Sequence, residues 1–214
     1  MTLRLNIGCG RSPTPDWINY DNSLAVRLAR VPVLARLLAW FGLIDPYGLE
    51  FVDFCRHHRI RSANAARRIP QAAGSVEAIY ASHMLEHLDR REARSFLAEC
   101  RRVLIPGGVL RVVLPDLRDA AFNYLRSGDA DAFLRHLQFD LDRPRGAGRL
   151  RLLLSGGRGH RWMYDRDSLI SLIEAAGFVD VQAMAEGQTL IRRPGKLDLH
   201  ERGGDSLVVE ARNP

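Results

Sequence analysis

Leu3-Arg4-Leu5-Asn6-Ile7 runs directly into Gly8-Cys9-Gly10, and no other stretch of the chain restricts its fold as tightly. Alternating branched apolar residues predict a buried strand. Glycine lacks a Cβ, so the backbone after that strand can take φ > 0 and let a ligand come within van der Waals contact. A strand that ends in a Gly-x-Gly turn is how an open α/β sheet receives a nucleotide-like ligand at the carboxyl ends of its strands. A tight turn between two strands is the rival reading.

The residues that follow narrow the ligand. A dinucleotide site would continue to a third glycine and a helix N-terminus that offers free N–H groups to a pyrophosphate. Here Pro13 and Pro15 follow instead. Each removes a donor and restricts its predecessor. The Gly-Lys-Ser/Thr phosphate loop is absent too. A ligand that needs close backbone approach but carries no phosphate suits this turn better, and S-adenosylmethionine is such a ligand.

The 214 residues are expected to form a single domain spanning 1–214. The net charge is +6, but Lys196 is the only lysine among 31 basic residues. So extreme an arginine usage reads as coding bias rather than as a nucleic-acid surface, although a positive surface favours anionic partners modestly. Cys9, Cys55 and Cys100 are widely spaced with no CxxC, which predicts reduced thiols in a cytoplasmic protein. A strand that begins at residue 3 leaves no room for a signal peptide.

Only six residues separate Gly10 from Trp17, so the first crossover helix is expected to be reduced to a turn or missing. Trp17–Asp21 reads as a second strand, with Asp21 placed to accept both hydroxyls of a ribose. The alternative for Asp21 is a helix cap before Leu24, with Asn22 and Ser23 as rivals. Residues 24–44 form an inserted apolar helix that contains three arginines and Pro32, too interrupted to span a bilayer. A lid, a homodimer face or peripheral contact at the inner face of a membrane are the roles it admits.

Glu50–Phe54 is expected as the third strand with Asp53 near its end, and 56–74 as a loop with His57 and His58 in solvent. Further strands are expected at 77–81, 109–114, 179–184 and 206–211. Ala93, Phe96, Leu97, Cys100, Val103 and Leu104 share one face of a helix packed on the sheet, stopped by Pro106-Gly107-Gly108. A helical region is expected from Asp116 to about Phe139. The basic, glycine-rich stretch 143–161 is expected to fold over a site. The next helix is expected to be capped by Asp165 or Asp167 and closed by Gly177.

Strands alternating with helices imply a mostly parallel sheet covered on both faces. The segments LNIGCGRSPTPDWINYDNS, SVEAIYASHMLEHL, ECRRVLIPGGVLRVVLPDL and GHRWMYDRDSLISLIEAAGF resemble the small bacterial S-adenosylmethionine-dependent methyltransferases of class I. They are similar in particular to a methyltransferase type 11-like group associated with polysaccharide and cell-envelope biosynthesis. The resemblance implies an α/β fold: a doubly wound, Rossmann-like sheet of about seven strands whose last strand is antiparallel. It places the cofactor turn at Gly8, Cys9 and Gly10, with Asn6 standing where the family commonly has an acid. By the same resemblance, Asp21 is the ribose acid and Asp53 lies near adenine. Ala81, Ser82 and His83 line the methionine part of the cofactor.

A hydroxyl acceptor needs its proton taken, and histidine suits that near neutral pH. His83 at the fourth strand tip, His160 in the basic loop and Asp116 after the fifth strand are the candidates. Arg158 and Arg161 could clamp an anionic group. His83-x-x-Glu86-His87 also matches an inverted zinc-protease pattern. That chemistry needs both histidines on one helical face, and His83 sits at a strand tip, so no metal is expected. Helix-start hydrogen bonding is the alternative for Glu86 and His87. The sequence therefore points to methylation of a small-molecule or glycan hydroxyl. RNA methylation and a non-catalytic cofactor-binding subunit are the alternatives, and no specific nucleic-acid partner is expected.

Overall fold

Seven strands build one mixed sheet in the computed structural model, which describes residues 2–138, 159–200 and 206–214. They are β1 (Leu3–Ile7), β2 (Ile18–Asp21), β3 (Arg61–Ser62), β4 (Val76–Ser82), β5 (Leu104–Pro115), β6 (Val179–Ala183) and β7 (Ser206–Arg212). Their order is β3-β2-β1-β4-β5-β7-β6. The first five are parallel, and β7 runs antiparallel to both β5 and β6. This is the α/β architecture expected, with the last strand reversed. The central strands β4 and β5 are buried on both faces, which explains their near-continuous apolar sequence.

The two faces are covered differently. On one, Leu5, Ile7, Ile79, Ala81, Leu110, Val112 and Leu114 meet α4 (Arg90–Val103) and α7 (Arg166–Ala175). On the other, Ala78, Tyr80, Val109 and Val113 pack against Trp17, Ile191 and Leu197. The β1–β2 link carries no helix, as its length required. Its backbone is satisfied by side chains instead: Asn6 Nδ2 donates to Ser12 O and Thr14 Oγ1, both at 3.0 Å, and Asn19 exchanges hydrogen bonds with the Thr14 backbone. Cover that a crossover helix would give to this face comes instead from the segment between β6 and β7.

Several expected boundaries move. Residues 24–44 are not one helix: α1 (Leu24–Leu28) and α2 (Pro32–Trp40) are separate, because Pro32 cannot continue the first and instead starts the second. The expected strand 50–54 is helical, inside α3 (Pro46–His57). Asp45 caps that helix by accepting from the Gly48 N–H at 2.7 Å, Pro46 opens it, and Gly48, Phe51, Val52 and Cys55 form its buried face. The third strand is the two-residue β3. Pro106–Gly108 does not stop α4 but lies within β5. The region after Asp116 divides into α5 (Leu117–Ser127) and α6 (Ala130–Leu137), parted at Gly128, which takes φ +67°. Asp165 rather than Asp167 caps α7.

Among the described residues no helix is long and apolar enough to cross a membrane. α2 leaves Val33, Leu37 and Trp40 exposed, Trp40 at 79%. Most of the glycine-rich stretch 143–161, including Arg158, lies outside the described residues.

Candidate active site

A cleft of about 430 Å³ opens at the carboxyl ends of β1, β2 and β4, a size typical of small-molecule sites. Gly8, Gly10 and Asp21 form one wall. Asn64 and Ala65, in the loop after β3, form another, and His83, Met84 and His87 close the third. α1 contributes Leu24 and Arg27, and α3 contributes Phe51. The stretch from 24 to 57 thus does shape the site, through α1 and α3.

The glycine turn is open to a ligand but cannot cradle a phosphate. Gly8 N and Cys9 N both donate to Tyr20 O, at 2.8 and 3.1 Å, and Gly10 N donates to Asp21 Oδ2 at 3.1 Å. These amides are already engaged. Gly8 (φ +73°) and Gly10 (φ +48°) both occupy the left-handed region. A Cβ on Gly10 would meet nothing within 4 Å and would project into open space. A Cβ on Gly8 would lie 2.5 Å from Met84 Cγ. The turn is anchored from outside by Arg11, whose guanidinium stacks over Tyr47 and Phe51 and pairs with Glu50 at 3.0 Å.

Asp21 stands beside this turn with capacity to spare. Its Oδ2 takes the Gly10 N–H and its Oδ1 takes the Ser23 N–H at 2.7 Å. A carboxylate has roughly four lone-pair positions, so about two remain for a vicinal diol. Ser23, not Asp21, is the residue that begins α1.

The third wall is unusual. His83 follows β4 with φ +47°, a conformation non-glycine residues rarely hold. Its Nδ1 lies 3.3 Å from Glu86 Oε1 and its Nε2 lies 3.3 Å from Ser206 Oγ. A 3₁₀ turn, Leu85–His87, then carries Glu86 inward and His87 toward the cleft. The Glu86 backbone carbonyl accepts from Arg161 N and Trp162 N, which brings His160 alongside. The His87 and His160 rings sit 5.0 Å apart, edge to face. Burial lowers the His160 pKa, opposed by the Glu86 carboxylate and reinforced by His87. The end of β4, the 3₁₀ turn and residues 159–162 bring these groups together.

The expected site residues divide accordingly. Gly8, Gly10, Asp21 and His83 line the cleft, and His160 joins the Glu86–His87 group behind it. Asn6 is buried under the turn and holds it in shape. Cys9 faces away from the cleft into the α1–α3 core beside Cys55. Burial raises both thiols, that of Cys55 to about 12, so neither is a ready nucleophile. Ala81 belongs to the core, and Ser82 ends β4 in register with Val113. Asp53 is not at a strand end, because its segment is helical; its backbone carbonyl takes a hydrogen bond from His57 Nδ1 at 2.7 Å. Residues 63–66, in the loop after β3, line the cleft, and Asp53 does not. Asp116 caps α5 through Arg118 N at 2.8 Å rather than facing the cleft. Arg161 is already paired with Glu92 at 3.0 Å and Asp89 at 3.7 Å.

Comparison with known proteins agrees with the fold. The methyltransferase domain family matches residues 44–112. None of the curated proteins compared matches the chain in sequence. Among solved structures, an S-adenosylmethionine-dependent methyltransferase from Thermotoga maritima superposes over 100% of this chain and 83% of its own, with TM-score 0.50 and 14% identity. A second, from Archaeoglobus fulgidus, does so over 99% and 86%, with TM-score 0.51 and 14% identity. PigF, solved with S-adenosylhomocysteine, matches over 100% of this chain, which spans 50% of PigF, with TM-score 0.50 and 15% identity. At such identities the likeness is one of fold.

Proposed function

We propose that this chain, a class I S-adenosylmethionine-dependent methyltransferase, methylates a hydroxyl oxygen of a small-molecule or glycan acceptor. The cleft suits the cofactor. Its glycine turn offers bare main chain without free phosphate-binding amides. Asp21 on its lining also favours a cationic ligand, whereas Glu92 is already paired with Arg161. Asp21 would hold the ribose hydroxyls, residues 63–66 would flank the base, and Gly8, Gly10 and Met84 would bound the methionine side. The cofactor, when bound, supplies a methyl group already activated on a sulfonium.

The observation that supports an oxygen acceptor is the pairing of His83 with buried Glu86 at 3.3 Å. The Glu86 charge beside Nδ1, near though off hydrogen-bond geometry, favours the tautomer protonated there, which makes Nε2 the ring atom to accept a proton. Ser206 Oγ already lies 3.3 Å from Nε2, so an acceptor hydroxyl would have to take its place there. The chain's own work is then to align acceptor and donor, exclude water and accept one proton.

The test is calorimetric titration with S-adenosylmethionine, S-adenosylhomocysteine and NAD, followed by turnover on a panel of sugar, phenol, amine and RNA acceptors. Binding of the first two, with O-methyl product that falls by about 100-fold or more in His83→Asn, supports the reading. Binding of NAD alone, methylation only of nitrogen or RNA, or cofactor binding without turnover would each overturn it.

A further inference from the structure

Glu86 poses a problem that methyl transfer does not explain. Its side chain is 1% exposed, and neither carboxylate oxygen has a hydrogen-bond partner among the described residues. The nearest cationic candidate is the His83 imidazole, at 3.3 Å and off hydrogen-bond geometry. A carboxylate this deeply buried is stable only when its charge is compensated. His160 repeats the problem on a second side chain: it is 6% exposed, and its Nδ1 also lacks a partner among the described residues.

These orphaned atoms belong to one cluster. One ligand atom each from Glu86, His87 and His160 lies within 4.8 Å of the other two. His87 Nδ1 lies 3.4 Å from Gly159 O, so it can donate its proton there and turn Nε2 to a ligand, as metal-bound histidines usually do with their other ring nitrogen. His160 Nδ1 is the ring atom without a partner among the described residues. A cation about 2.1 Å from each ligand holds neighbouring ligand atoms roughly 3–4 Å apart, so small side-chain rotations close the set.

We propose that Glu86, His87 and His160 bind one divalent first-row transition cation beside the cofactor cleft. Two imidazoles and one carboxylate suit zinc, manganese, cobalt or iron(II), and they leave coordination positions for water or an oxygen donor. His87 also lines the cleft, so those positions border the space assigned to the cofactor. The cation compensates Glu86 and would hold an acceptor oxygen next to His83. That last role rests on the methyltransferase reading; cation binding itself does not. The HxxEH spacing misleads here, because His83 faces Glu86 while the second histidine ligand comes from residue 160.

The test is a titration of chelator-treated protein with Co²⁺, read by its visible ligand-field absorption. One equivalent is expected to bind with a spectrum of nitrogen and oxygen ligation. Glu86→Gln and His160→Ala should each weaken binding at least about tenfold, while His57→Ala on exposed α3 should leave it unchanged. Should a variant fail to fold, the wild-type melting temperature serves instead: it should rise with Co²⁺ and return with EDTA. Binding that is absent, weakened equally by His57→Ala, or without effect on wild-type melting would overturn the proposal and leave Glu86 neutralised by an imidazolium. Titration of the chelated protein with S-adenosylhomocysteine keeps the readings apart, because retained binding shows that the cofactor site stands whatever the cation result.

Discussion

Asp21 Oδ2 accepts the Gly10 N–H at 3.1 Å, so one carboxylate both shapes the glycine turn and faces the ligand space that turn leaves open. Its remaining lone pairs are the polar feature best placed for a diol. Asp21→Ala is expected to weaken S-adenosylhomocysteine binding by about 10–100-fold, the equivalent of one or two charge-assisted hydrogen bonds. Calorimetry checks this, and affinity within twofold of wild type would exclude Asp21 as the ribose ligand.

The two glycines should fail in different ways. Gly10→Ala places its methyl in open space, so its cost to stability is the backbone strain of about 1–2 kcal/mol. Cofactor affinity should nevertheless fall about tenfold or more, since the methyl enters the ligand's volume. Gly8→Ala adds a collision with Met84 and should lower the melting temperature further, with Gly8→Ala/Met84→Ala recovering part of the loss. Equal melting temperatures for the two single variants would contradict this account.

Arg111 and Glu210 form a buried ion pair at 2.7 Å between β5 and β7. Glu210 also accepts from Thr189 Oγ1 and Leu190 N, and Arg111 donates to Gln188 O. Removing one partner strands the other charge, so Glu210→Leu or Arg111→Met should cost about 3–5 kcal/mol. The double substitution should cost markedly less than the sum. Urea denaturation of the four proteins measures the coupling.

Glu99 gives a pH signature. The Arg102 side-chain hydrogen bond, helped by the Ile69 N–H, holds its carboxyl below the ordinary range. A lowered native pKa contributes stability above the unfolded value, and that stability is lost as pH falls through the native one. Glu99→Gln should therefore be less stable by about 1–2 kcal/mol at pH 7. The gap should close as the pH falls below about 4, the range in which the unfolded carboxyl titrates. Because Glu99 holds Ile69, the variant should also expose the 63–71 loop to faster amide exchange.

The parts of the fold legible from residues alone are those where one pattern governs. β1 with its glycine turn, the apolar face of α4 and the cap of α7 are local, and each formed as its spacing required. α3 was legible too, in Asp45-Pro46 and in the spacing of Gly48, Phe51, Val52 and Cys55, but the alternation in Glu50–Phe54 masks that period. β3 has two residues and carries no pattern at all. Misreading α3 displaces Asp53, and with it the adenine side of the cleft. The Glu86–His87–His160 group lies beyond any local pattern, because backbone bonds from Arg161 and Trp162 to Glu86 create it.

The bare β1–β2 link also governs when the domain can form. Ile191 and Leu197, which shield the outer side of β4 and β5, follow every helix among the described residues, and β7 follows them. On a ribosome, that side of the nascent sheet stays wet and sticky until residues 191–197 have emerged. Shortening the 188–199 segment should therefore yield inclusion bodies rather than a smaller folded domain.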